Sequence, residues 1–175
     1  MSEQASHTDL EIRPLRPGDS IEQITTLLHR AYAGLAADGF SYVATHQSTE
    51  ITASRLQSGE PFVALTDNRI VGTITLYTTS NDPDAPAIYL HDGSAYFGQF
   101  GIEPSVQGRG IGTAMLRFLE DVAVKKGIET IALDTAEGAS RLIAWYQAEG
   151  YRIVDHADWS MTNYRSVIMA KALRR

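Results

Sequence analysis

The sequence predicts an α/β fold in which helices flank one mixed sheet of strands. The chain has 175 residues, the usual size of one domain with a substantial core. Hydrophobic residues make up 43% of it and charged residues 21%, as in globular proteins. Segments with strand-like alternation are interspersed with segments of helical periodicity in the order β-α-α-β-β-β-α-β-α-β-β, which is typical of a layered α/β design. We therefore expect a disordered tail over residues 1–8 and one domain over residues 9–175.

The first half of the chain contains a short strand, two helices and a hairpin. Apolar residues alternate in "LEIRPL", which predicts the strand. Helical spacing follows over residues 21–35, with Asp19 or Ser20 as the N-cap. A second helix is expected over residues 48–57. The alternating segments "PFVALTD" and "RIVGTITLYT" are joined by two polar residues, which indicates a hairpin.

The second half of the chain alternates strands with helices. "IYLHDG" is interpreted as a short strand, and "SAYFGQFGIEP" as a longer one that ends at Pro104. An amphipathic helix is expected over residues 110–126, with Gly127 as its C-cap. Another helix is expected over residues 139–148. The remaining strands are predicted in "IETIALDT", "GYRIV" and "YRSVIMAKAL".

Composition and charge exclude several classes of function. The formal net charge of -6 disfavours a surface that binds nucleic acid or an anionic membrane. The chain has no cysteine, and therefore no disulfide, thiolate nucleophile or cysteine metal site. His29 and His156 lack ligand partners at useful spacing, so we expect no metal. There is neither a secretory leader pattern nor an apolar run that would span a membrane, which predicts a cytoplasmic protein.

The stretch "IEPSVQGRGIGTAM" places a glycine-rich turn between a strand and a helix. Such a turn presents free backbone N–H groups at the positive end of a helix, where phosphate oxygens bind. Gly108, Gly110 and Gly112 let a ligand touch the main chain, and Arg109 adds a positive charge. The spacing fits neither a P-loop, which needs Gly-Lys-Ser/Thr, nor a Rossmann fingerprint.

Two motifs together resemble the GNAT superfamily of N-acetyltransferases. The first is Q-x-x-G-x-G, carried by Gln107, Gly110 and Gly112. The second is an aromatic-Tyr pair followed by Gly-aromatic, in "LIAWYQAEGYRIV". The resemblance spans about residues 10–173 and is most specific over residues 97–154. It implies a GNAT-type fold, with a mostly antiparallel central sheet that splays at the acetyl-CoA site.

The resemblance also implies a set of donor-binding residues, with acetyl-CoA as co-substrate. The backbone of Phe100, Gly101 and Ile102 matches the strand that holds the pantetheine arm and the acetyl carbonyl. The pyrophosphate loop corresponds to Gln107, Gly108, Arg109, Gly110, Ile111 and Gly112. Thr113 is expected to add a hydroxyl, and Ser140 to replace an asparagine that is common in the family. Tyr146 occupies the position of the general acid that protonates the leaving thiolate.

The general base, which takes the proton from the acceptor amine, does not follow the family pattern in this chain. Family members often carry a glutamate near the position of Tyr96 to Gly98, where this chain has no carboxylate. Glu103, acting through water, is the predicted base. His91 and Asp92 are alternatives, and so is loss of the amine proton to bulk water before binding.

The acceptor site is expected to use Tyr32, Phe40, Tyr42 and Gln99. The implied function is transfer of an acetyl group from acetyl-CoA to a primary amine, by direct attack in a ternary complex. A small-molecule or peptide amine is the expected partner, and a homodimer is possible. A coenzyme A-binding regulatory module without catalysis, or transfer of another acyl group, are the alternatives. The sequence does not name the acceptor.

Overall fold

A computed structural model describes residues 9–173 and shows one seven-stranded sheet with helices on both faces. The α/β fold class is thereby confirmed, while the tail expected over residues 1–8 lies outside the described residues. The strands run in the order β1-β2-β3-β4-β5-β7-β6, and β4 and β5 form the parallel pair among antiparallel neighbours. The strands are β1 (Glu11–Pro14), β2 (Glu60–Thr66), β3 (Arg69–Tyr77), β4 (Ser94–Ile102), β5 (Thr130–Ala136), β6 (Arg152–Asp158) and β7 (Arg165–Ala172). The helices are α1 (Ile21–Ala37), α2 (Thr49–Gln57), α3 (Ala87–Leu90), α4 (Ile111–Lys125) and α5 (Ser140–Ala148).

The segment "IYLHDG" does not form the expected strand, because its first residues belong to α3. Pro86 precedes this helical turn with φ -52°, and its carbonyl accepts from the Tyr89 N–H at 2.8 Å. The Tyr89 ring is buried and stacks on Tyr96 with centroids 4.0 Å apart. Tertiary packing of one aromatic side chain therefore outweighs the weak strand preference of this short segment.

Alternation along β2 shows how the two faces of the sheet are covered. Phe62 and Ala64 pack into the cluster that holds α4, whereas Val63 and Leu65 pack into the cluster that holds α1 and α2. This inward alternation on both faces is the pattern of a sheet between two helical layers.

A β-bulge in β4 opens the middle of the sheet. Thr73 pairs with Gly101 and Thr75 with Gly98, so β4 holds one more residue than β3 across this step. Gln99 lies in the bulge with φ 49°, a conformation that residues other than glycine rarely adopt. Parallel pairing of β4 with β5 is confined to residues 94–96 with residues 130–132. Beyond that point the two strands splay apart, as the family resemblance implied.

Helix α1 crosses β4 at the bulge. A Cβ added to Gly101 would lie 3.1 Å from the side chains of both Ala31 and Leu28, so the close approach of helix to strand favours a glycine. The Tyr32 hydroxyl donates a hydrogen bond to the Phe100 carbonyl at 2.9 Å, which fixes the helix to the bulged strand.

The splay also leaves backbone groups of β5 without a strand partner on the side of β4. The Tyr42 hydroxyl accepts from the Ala136 N–H at 3.0 Å and lies 2.7 Å from Thr135 Oγ1. Because Tyr42 is buried, its hydroxyl replaces the strand partner that this amide lacks.

Replacing Tyr42 by phenylalanine should destabilise the fold. Tyr42→Phe leaves the buried Ala136 amide unpaired, at an expected cost of about 1–3 kcal/mol in the free energy of unfolding. Tyr164→Phe is the matched control, since the Tyr164 hydroxyl has no hydrogen-bond partner among residues 9–173 although its ring packs on Tyr42 at 4.9 Å. Urea unfolding of both variants provides the measurement, and equal losses would contradict this role for the Tyr42 hydroxyl.

Candidate active site

Two cavities lie on either side of the splayed strands. The larger cavity has a volume of about 410 Å³ and lies between the end of β4, the start of α4 and α5. The smaller cavity has a volume of about 300 Å³ and lies between β4 and β5, near α2 and the loop before β7. Tyr32, Leu142 and Tyr146 line both cavities, so these three side chains mark where the two meet.

The floor of the larger cavity is a cradle of unpaired backbone amides. Within the described chain, the N–H groups of residues 108–113 have no hydrogen-bond acceptor. Gly108 and Gly110 have φ of 77° and 80°, which turns the chain so that consecutive N–H groups converge. The first turn of α4 contains no acidic residue, and its macrodipole adds positive potential. The cradle therefore fits the phosphate groups of a nucleotide-like ligand.

Most of the predicted donor-binding residues come together here. The larger cavity is lined by Phe100, Gly101, Ile102, Gln107, Gly108, Gly110, Ile111, Gly112 and Thr113. Arg109 is exposed beside the cradle, and neither Arg109 nor Ser140 belongs to the cavity lining. The Gln107 side chain donates to the Ile102 carbonyl at 3.0 Å, which closes the loop onto β4. The Thr113 hydroxyl donates to Glu149 at 3.1 Å, so the donor that Thr113 leaves unpaired is its backbone N–H rather than its hydroxyl.

Tyr146 lies at the junction of the two cavities. It is buried against Phe97 and Tyr151, and its hydroxyl has no hydrogen-bond partner among residues 9–173. Burial raises the pKa of this hydroxyl well above its ordinary value, so Tyr146 stays protonated at neutral pH. Trp145 packs against the hydrophobic core and on Phe100, and it also lines the larger cavity.

A free strand edge beside an amide cradle is the arrangement that the family resemblance implied for the acetyl-CoA site of a transferase. The comparisons with known proteins indicate the same class of protein. The model of the acetyltransferase (GNAT) family matches residues 21–151, and the chain belongs to this family. It is an acetyltransferase with acetyl-CoA as its co-substrate.

Three relatives illustrate the likeness. S-(2-succino)cysteine N-acetyltransferase of Bacillus subtilis (strain 168) is 27% identical over 155 residues, 87% of this chain and 90% of that protein. PaiA N-acetyltransferase of Thermoplasma acidophilum, solved with coenzyme A, has a TM-score of 0.72 at 21% identity, covering 94% of this chain and 99% of that one. A GNAT acetyltransferase of Elizabethkingia anophelis with acetyl-CoA bound has a TM-score of 0.66 at 20% identity, covering 94% and 98%. The two solved structures support the fold.

The predicted acceptor residues divide between the smaller cavity and the core. Tyr32, Tyr42 and Gln99 line the smaller cavity. Phe40 does not; its ring packs edge-on against Tyr164 and over Gly138. Asp82, one of the acidic residues before β4, also lines this cavity.

Asp134, which the sequence analysis missed, is the carboxylate at the inner wall of the smaller cavity. Its Oδ1 accepts from the Tyr89 hydroxyl at 2.9 Å. Burial raises the pKa of Asp134 above its ordinary value, and the hydrogen bond from Tyr89 offsets part of the rise. One signal was available, because an aspartate inside an otherwise apolar strand is uncommon without a partner or a function.

Glu103 lies outside the lining of both cavities. Its carboxylate accepts from Arg30 Nη2 at 2.7 Å and from Arg30 Nε at 2.9 Å, in a paired geometry on the surface of α1. His91 and Asp92 are exposed and also lie outside both linings. The geometry therefore favours Asp134 over all three as a proton acceptor.

Within residues 9–173, no helix has the length and apolar character needed to cross a membrane. The same part of the chain brings together no group of three or more metal-ligating side chains.

Filling the backbone cradle should weaken coenzyme A binding. Gly110→Val places a branched side chain at φ 80°, with a strain of about 1–2 kcal/mol, and shifts the amides away from the phosphates. Gly127→Val is the matched control, since Gly127 has φ 78° and open space around it but lies at the far end of α4. Calorimetry with coenzyme A should show at least a tenfold loss of affinity, by about 1.4 kcal/mol or more, for Gly110→Val alone. Equal affinity of the two variants would contradict the cradle assignment.

Proposed function

We propose that this acetyltransferase acetylates a primary amine of a small molecule or peptide by direct attack in a ternary complex. Acetyl-CoA occupies the larger cavity and the amine enters through the smaller one. The observation that carries the proposal is that the two cavities meet at Tyr146. A relative named for N-acetylation of S-(2-succino)cysteine supports an amine acceptor.

The protons balance with two side chains. Acetyl-CoA supplies a thioester whose carbonyl carbon accepts the amine and whose sulfur leaves. Asp134, directly or through one water, takes the proton that the attacking amine must lose. Tyr146 donates its proton to the departing sulfur. After product release Asp134 gives its proton to solvent and Tyr146 recovers one, which restores both side chains. Backbone N–H groups of β4 hold the acetyl carbonyl in this proposal, which is supported by the absence of pairing between β4 and β5 beyond residue 96.

A coenzyme A-binding module without catalysis is the competing function. Such a module needs neither a carboxylate in the smaller cavity nor an unpaired hydroxyl where the cavities meet. This chain has the carboxylate of Asp134 and the hydroxyl of Tyr146 at these places, although burying each of them opposes folding. The arrangement therefore favours catalysis.

Tyr146→Phe should lower kcat by about 100- to 10,000-fold, the usual effect of losing a general acid. The substitution removes one oxygen that no described residue binds, so coenzyme A affinity should stay within a few-fold. Release of free thiol with an amine acceptor, and calorimetry with coenzyme A, measure the two quantities. Unchanged turnover together with weakened binding would contradict the assignment.

Asp134→Asn should remove the base and its pH dependence. In the parent, kcat/KM should fall as the pH drops through the raised pKa of Asp134, because protonation removes the base. The asparagine variant should lose about 100- to 10,000-fold in kcat/KM at neutral pH. Asp92→Asn, an exposed change outside both cavities, is the control and should keep the parent profile.

The same variant should be more stable than the parent at neutral pH. A raised pKa means that the folded protein holds the Asp134 proton more tightly than the unfolded chain does. The stability linked to that proton is full below the ordinary pKa of 3.8 and is lost as the pH rises through the raised value. Urea unfolding as a function of pH should show this gain, which shrinks in acid; a less stable Asp134→Asn would contradict it.

A further inference from the structure

The smaller cavity contains a cation as well as carboxylates. Arg55, on α2, is partly buried and lines this cavity. Within residues 9–173 no carboxylate lies within 4.0 Å of its guanidinium, whereas Arg13 and Arg30 each have one at 2.7 Å. Asp134 lies beyond that distance, although the positive charge of Arg55 acts to lower the pKa of its carboxyl. A guanidinium that is partly withdrawn from water without a directly paired anion is stabilised by a ligand that supplies one.

Neutral amides hold this guanidinium in place. Arg55 Nη1 donates to Gln47 Oε1 at 2.9 Å, and the buried Gln47 is fixed in turn by Thr52 at 2.8 Å. With its amide oxygen toward Arg55, Gln99 accepts from Nε at 3.2 Å and from Nη1 at 3.0 Å. In the opposite orientation that oxygen accepts from Gln47 Nε2 at 2.8 Å. The first orientation satisfies the guanidinium but brings the Gln99 amide nitrogen to 2.8 Å from Gln47 Nε2, which is also a donor. The contact that both orientations share is the hydrogen bond from Arg55 Nη1 to Gln47.

One edge of the guanidinium stays free. Arg55 Nη2 has no hydrogen-bond partner in the described part of the chain in either orientation of Gln99, while Nη1 donates to Gln47. Because a guanidinium binds carboxylates with a planar fork of donors, a fixed guanidinium with a free edge suits an anionic group of a ligand.

We infer that the acceptor carries a carboxylate in addition to its amine, and that Arg55 binds this carboxylate. The inference rests on the proposed function, since Asp134 and Asp82 attract the amine end in the same cavity. An acceptor with one positive and one negative charge complements the carboxylates and the guanidinium of this cavity. A polyamine would bring only positive charge to Arg55, which opposes its binding. A cavity of about 300 Å³ has room for a compound of amino-acid size.

Four thioether amines test the inference, because none has a free thiol to disturb a thiol-release assay. S-carboxymethylcysteine has two carboxylates, S-methylcysteine and S-carboxymethylcysteamine have one each, and S-methylcysteamine has none. The parent should acetylate at least one carboxylate-bearing acceptor with a kcat/KM about 10- to 100-fold above that of S-methylcysteamine, the range of a charge-assisted hydrogen bond. Arg55→Gln should abolish this preference while leaving S-methylcysteamine within about threefold. Arg55→Lys should restore part of it, since lysine keeps the charge but not the fork.

Arg69→Gln is the control for loss of a positive charge, because Arg69 is exposed and lies outside both cavities. Normal affinity for coenzyme A shows that each variant is folded. The inference would be overturned if the parent acetylated S-methylcysteamine as efficiently as the three carboxylate-bearing acceptors. It would also be overturned if Arg55→Gln lowered kcat/KM equally for all four acceptors. Acetylation of spermidine or a peptide amine, but of none of the four, would also overturn it while leaving the proposed function intact.

Calorimetry of S-carboxymethylcysteine with the coenzyme A-loaded protein separates the two claims. If no amine is acetylated, the proposed function fails. Binding that Arg55→Gln abolishes would then still support the carboxylate site, and no binding to the parent would overturn it.

Discussion

The separation of β4 from β5 is the constraint on which the rest of this molecule depends. One extra residue in β4, held by the positive φ of Gln99, bends the strand away after only a short parallel pairing. A regular pair of strands would have used its backbone groups in a ladder and left no gap. The bulge instead leaves a free strand edge with a cavity on either side of it.

Opening a sheet in its middle exposes polar groups that must find other partners. Tyr42 supplies an acceptor for the amide of Ala136, and Tyr32 supplies a donor for the carbonyl of Phe100. Both tyrosines lie in the region predicted to form the acceptor site, and both line the smaller cavity. Their hydroxyls are engaged by backbone groups at the gap, so their rings are the parts left to contact a ligand.

Charge is used differently in the two cavities. The larger cavity offers an anion backbone amides and a helix terminus, with Arg109 exposed beside them. Dipoles fixed by the fold need no rearrangement when the phosphates arrive. Asp134 and Arg55 both line the smaller cavity, without an ion pair between them in the described residues. Two opposite charges held apart can each bind a different group of the same ligand, which a closed ion pair would not do.

The sequence by itself determined the fold class, the family and the donor loop. Each depends on short-range patterns: the alternation of strands, the spacing of glycines ahead of α4, and the aromatic pair that contains Tyr146. The tertiary structure decided what depends on contacts between distant segments. Packing of Tyr89 turned the segment expected as a strand into a helical turn. Arg30 paired with Glu103 on the surface. The separation of β4 from β5 brought Asp134 and Arg55 into one cavity. Asp134 and Arg55 lie 79 positions apart in chain numbering, on elements that share no motif. No local pattern encodes their meeting, because it follows from how far β4 bends and where α1 and α2 pack against it.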